Sequence, residues 1–155
     1  MPKSQLYTVG FAIAVCVVCS LLVSSFAVGL RSKQNRNVLI DQYKNLLKAV
    51  GLEESKDWDA DKIEEEYKKR FSVQIINLSG DVLKDKSLDD LPDDPADWNE
   101  EFPVYLVLEP DSKTVTGFVI PINGYGLWST LYGYLALDKD GNNILGITFY
   151  KHGET

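Results

Sequence analysis

Two stretches of this 155-residue chain hold residue types at spacings that could do chemistry: Ile122-Asn123-Gly124-Tyr125-Gly126-Leu127-Trp128-Ser129-Thr130, and Tyr150-Lys151-His152-Gly153-Glu154-Thr155. A Gly-x-Gly bend lets backbone approach a ligand closely, and the Leu127-Trp128 pair that follows offers an apolar wall to a planar ring. The competing reading is a glycine bulge between strands with Trp128 in the core. His152 is the one histidine, so neither a histidine-built zinc site nor a Ser-His-Asp triad assembles. There is no P-loop, and Gly124-x-Gly126 lacks the third glycine of a dinucleotide fingerprint and leads into a strand. Catalysis by side chains alone is disfavoured, and reactivity belongs more naturally to a cofactor that the protein positions.

Two other clusters have bland readings. Cys16 and Cys19 form C-x-x-C, yet they sit inside an apolar run at helical i, i+3 spacing, which fits two small apolar fillers of a helix-packing face better than a redox pair. Residues 89–101 hold seven acids, with Pro92 and Pro95 among them and no base. An EF-hand needs a glycine at its sixth position and this segment has none, so it is expected to be a solvated acidic loop.

Charge is distributed unevenly. Residues 1–50 carry six Lys/Arg against one acid, and residues 51–155 carry ten against twenty-two. So acidic a C-terminal part repels phosphate backbones, which argues against nucleic acid as a partner. The basic N-terminal part points to a membrane: no charge occurs between Lys3 and Arg31, and Tyr7 to Leu30 is apolar apart from small hydroxyls. Twenty-four residues span roughly 36 Å as a helix, enough for a hydrocarbon core of about 30 Å. An uncleaved transmembrane helix is the leading reading. A signal peptide cleaved after Ser25-Phe26-Ala27 and a buried core helix are the rivals. Arg31, Lys33 and Arg36 on the C-terminal flank would by the positive-inside rule hold the larger part in the cytoplasm.

The elements that must position the two stretches follow from periodicity. Leu39, Tyr43, Leu46, Leu47 and Val50 mark an amphipathic helix over 32–50 with Gly51 at its C-cap, either continuous with the span or hinged to it. A second helix is expected from Asp59 to Phe71, capped by Asp59, with Ile63, Tyr67 and Phe71 on one face. Strands follow at 72–78, with Val82-Leu83 as the start of a return strand, then at 104–108, 114–121, 131–137 and 144–150. Turns fall at Ser79-Gly80-Asp81, Glu109-Pro110-Asp111 and Asp138 to Asn142. Short connections imply an antiparallel sheet. The fold class is α+β: a single N-terminal transmembrane helix, amphipathic helices, then a partial antiparallel sheet.

Several of these stretches coincide with a known pattern. Gly124-Tyr125-Gly126-Leu127-Trp128-Ser129, then Leu131-Tyr132-Gly133-Tyr134, Ala136-Leu137-Asp138, Gly146-Ile147-Thr148-Phe149-Tyr150 and His152-Gly153-Glu154-Thr155 resemble the C subunit of the sodium-translocating NADH:quinone reductase, a family with an FMN-binding domain. Val28-Gly29-Leu30-Arg31-x-Lys33-Gln34 after the apolar run and Leu78-Ser79-Gly80-Asp81 fit the same family.

The resemblance implies electron transfer through covalently bound FMN towards quinone, coupled to Na+ export. It further implies other membrane subunits and the lipid bilayer as partners, and a domain outside the bacterial cytoplasmic membrane, against the charge bias. It carries Leu127, Trp128, Glu154 and Thr155 over as cofactor-binding residues. In this family the flavin phosphate is esterified to a Thr in a Ser-Gly-Ala-Thr motif, which is not among these residues. The expectation is therefore an N-terminal portion of the subunit: a cytoplasmic tip and span over 1–30, a helical connector over 31–71 and a partial FMN-type domain over 72–155. The alternative reading is a non-catalytic membrane-anchored interaction or assembly protein that binds no flavin. A secreted acidic module released after Ala27 is a third.

Overall fold

The computed structural model describes residues 3–52, 57–92, 94–110 and 114–153. Helix α1 runs without a break over Lys3–Ala49, so the apolar run and the amphipathic segment belong to one helix. Nothing in 32–48 is proline or glycine, and nothing there stops propagation. Gly51 does stop it. At φ +87° it takes the left-handed conformation, with Gly51 N–H donating to the Lys48 carbonyl at 3.0 Å and Leu52 N–H to that of Leu47 at 3.1 Å. The chain forms two compact units, Met1–Leu39 and Ile40–Thr155. In the first, the side chains from Tyr7 to Leu30 are exposed and mostly apolar, and the helix is long and apolar enough to cross a membrane.

In the second unit, α2 covers Ala60–Arg70. The Asp59 carboxylate accepts from Lys62 N–H at 2.8 Å at its start, and Lys68, Lys69 and Arg70 complement the dipole at its end. Phe71 is both the C-cap of α2 and the first residue of β1 (Phe71–Asn77), so helix passes into strand with no loop. Strands β2 (Glu101–Leu108), β3 (Val115–Tyr125), β4 (Thr130–Asp138) and β5 (Ile144–Lys151) complete an antiparallel sheet in sequential order. The expected return strand at Val82-Leu83 is only a bridge, Ile76 to Val82, on the edge of β1 that β2 leaves free; Leu83 N–H donates to the Ile75 carbonyl at 2.8 Å and the pairing goes no further. Asp93 and Asp111 lie outside the described residues.

One face of the sheet carries the core. Tyr105, Val119, Tyr134 and Ala136 project from it and meet Leu46, Leu47 and Ala49 of α1, Ile63 of α2 and Phe71. Thr148 is the buried polar residue among these elements, and its hydroxyl donates to the Asn45 carbonyl at 3.2 Å. Strand β3 is longer than its alternation predicts because it runs through Pro121 to the glycines. Pro121 lies past Val119, beyond the ladder with β2, where a missing N–H need not break a strand pair.

Candidate functional site

The Ile122 to Thr130 stretch is the end of the β3–β4 hairpin. Ladder pairs run Asn123 to Tyr132, Gly124 to Leu131 and Tyr125 to Thr130, and Gly126 N–H donates to the Ser129 carbonyl at 2.7 Å. Leu127 and Trp128 therefore sit at the apex of the turn. Tyr125 is 97%, Leu127 83% and Trp128 76% exposed. The reading that puts Trp128 in the core is overturned: at the apex of a hairpin there is no second layer for it to enter. An added Cβ on Gly124 would meet nothing within 4 Å, leaving open space beside the backbone.

Beside this tip comes the second stretch. Gly153 N–H donates to Ser129 Oγ at 2.7 Å, and a Cβ on Gly153 would fall 2.6 Å from that oxygen. A side chain at 153 would force Ser129 to shift, and glycine leaves the clasp undisturbed. Glu154 and Thr155, the other two predicted site residues, lie outside the described residues.

A register shift lies next to this hairpin. Tyr132 pairs with Lys151 while Gly133 pairs with Phe149, so Tyr150 is an extra residue in β5. The bulge brings both Tyr150 and Lys151 to Tyr132: the rings of Tyr132 and Tyr150 are 6.4 Å apart, and Lys151 Nζ lies 4.9 Å from the Tyr132 ring. Tyr132 Oη donates to Asp94 Oδ1 at 2.9 Å, and Asn123 Nδ2 reaches the Pro95 carbonyl at 3.3 Å. The acidic segment is thus fastened to the hairpin and is not merely solvated. The Ala96 N–H, the Tyr132 hydroxyl and Lys151 hold the Asp94 carboxyl below its usual range. The reading from sequence missed Tyr132, Lys151 and Asp94, whose association depends on the bulge and on a contact across 38 residues. Among the described residues no His, Cys, Asp and Glu group forms a metal site.

Known relatives decide the family. No family model matches the chain. The C subunit of the Na+-translocating NADH-quinone reductase of Pseudomonas aeruginosa is 33% identical over 173 aligned residues, covering 99% of this chain and 66% of that protein. The same subunit of Yersinia pestis is 30% identical, covering 92% and 60%. The chain belongs to this C-subunit family. Its fold matches the crystal structure of the family member from Parabacteroides distasonis, with a TM-score of 0.66 at 24% identity over 81% of this chain and 60% of that one. It also matches that of Shewanella oneidensis NqrC, with a TM-score of 0.61 at 27% identity over 79% and 62%. The chain spans just under two thirds of the length of these C-subunit relatives.

Proposed function

We propose that this chain acts as the membrane-anchored C subunit of a Na+-translocating NADH:quinone reductase, passing electrons through FMN towards quinone while the complex exports Na+. The supporting observation is the clasp of Gly153 on Ser129, which sets the exposed Leu127 and Trp128 beside the end of β5 in a chain whose relatives bear that name. When bound, FMN supplies one- and two-electron redox chemistry. The fit to its ring rests on the exposed faces of Trp128 and Leu127 and the open side of Gly124. Glu154 and Thr155 are assigned to the same site through the resemblance, as the residues that follow Gly153. The residues present are assigned to the ring and not to the phosphate, because the Ser-Gly-Ala-Thr sequence is not among them.

In this reading residues 1–30 tip and span the bacterial cytoplasmic membrane, 31–71 connect, and 72–155 form the FMN-type domain on its outer side. The other membrane subunits of the complex and the bilayer are its partners. The test is to tag the chain at its native locus, extract the membranes in mild detergent and identify co-purifying proteins by mass spectrometry, with the denatured band checked for flavin fluorescence. The remaining reductase subunits should co-purify. A chain recovered without them would replace this reading with the assembly protein that binds no flavin.

A further inference from the structure

The inner face of the sheet carries a line of tyrosines that the flavin reading does not use. Tyr105 and Tyr134 meet edge to face at 5.9 Å, Tyr134 stacks on Tyr150 at 4.8 Å, and Tyr150 leads to Tyr132 at 6.4 Å. Tyr105, Tyr134 and Tyr132 are buried. Rings in such contact exchange an electron readily, so the resting place of an oxidised tyrosine is decided by its proton. A phenol that loses an electron becomes a strong acid, and it settles as a neutral radical only where a base takes the proton.

The array is asymmetric in that respect. The Tyr134 hydroxyl is within hydrogen-bonding reach of Tyr105 and Tyr150, which are phenols and poor bases. Tyr132 Oη donates to a carboxylate, Asp94 Oδ1, at 2.9 Å, within the reach that proton transfer requires. Ala96 N–H also donates to Asp94 Oδ1, at 2.9 Å, which keeps the carboxylate in place and ionised. Lys151 and Asp97 are the other charged groups that act on this pair.

We propose that the array is a radical exit: an oxidising equivalent that reaches Tyr105, Tyr134 or Tyr150 moves to Tyr132 and ends there as a neutral tyrosyl radical, with the phenolic proton on Asp94. The oxidant class is a peroxyl radical, which lipid oxidation supplies beside a membrane. It takes one electron from the array and one proton from a water molecule, which leaves as hydroxide, and becomes a hydroperoxide. The Tyr132 O–H bond breaks, and an O–H bond forms on Asp94 Oδ1. A one-electron reductant such as ascorbate returns the electron, and Asp94 returns the proton. The device protects the core from radical damage and does not depend on flavin.

The experiment uses the full chain in detergent with Cys16→Ser and Cys19→Ser, so that the thiols do not compete. Azidyl radicals made by pulse radiolysis oxidise it, and tyrosyl absorption and electron paramagnetic resonance follow the product. The unsubstituted site should give a single tyrosyl species living severalfold longer than the mixture formed in Tyr132→Phe, and Asp94→Asn should shorten that lifetime severalfold. Circular dichroism checks that both variants fold, and Asp94→Asn is read alone if Tyr132→Phe does not. The same lifetime and spectrum in the parent and in either folded variant would overturn the proposal.

Discussion

The carbonyl oxygen of Ala49, the last residue of α1, lies where a Cβ on Gly146 of β5 would have to go. The end of the long helix thus rests directly on strand backbone, and the next contact along β5 is the Thr148 hydroxyl on the Asn45 carbonyl. Gly146→Ala forces these backbones apart and should cost about 1–3 kcal/mol. Chemical denaturation of the full chain in detergent, followed by circular dichroism, measures it; an unchanged midpoint would mean that helix and strand separate freely.

The buried tyrosines predict alkaline lability. Burial raises the phenol pKa values of Tyr43, Tyr67, Tyr134 and Tyr150, and pushes Tyr105 up to about 12. Between the ordinary 10.0 and these values the folded state holds protons that the unfolded chain has released. Their contribution to stability is therefore complete below pH 10 and is lost as pH rises from there towards 12. Tyrosinate absorbance should appear for these residues together with loss of the circular dichroism signal. Full ionisation of every tyrosine before the fold is lost would show that the rings are not enclosed.

At the hairpin apex, Trp128→Ala should leave stability within about 0.5 kcal/mol of the parent, because the indole is mostly exposed. The same change should weaken FMN binding, as judged by quenching of flavin fluorescence during titration. A variant that binds FMN like the parent would remove Trp128 from the proposed site.

The outer face of the sheet predicts self-association. Leu135 pairs with Ile147 and Gly133 with Phe149, while Leu145, Ile147 and Phe149 on edge strand β5 are each about half exposed. Expressed without the span, residues 31–155 should therefore aggregate or elute as oligomers. A monodisperse monomer with a sharp cooperative melt would contradict this.

Much of the architecture is legible in local chemistry. Asp59 is the cap of α2, Gly51 ends α1 at positive φ, and Gly141 closes the turn between β4 and β5 at φ +70°. Strand positions follow from alternation to within a few residues. Less legible are Val82, which reaches the free edge of β1 but forms only a single bridge there, and the stretch around Arg31, where hinge and continuous helix fit the pattern equally and the helix is continuous.

The sequence by itself determined the long apolar helix, the order of the elements and the family, because runs, caps and motifs are properties of neighbouring residues. Tertiary structure alone decided the rest. The Tyr132–Asp94 hydrogen bond and the Ser129–Gly153 clasp join segments tens of residues apart, and Trp128 points outward because the β3–β4 hairpin places it at the turn apex. Whether an aromatic residue is core, wall or surface depends on what the remaining chain brings to face it, and that partner is not written in its own neighbourhood.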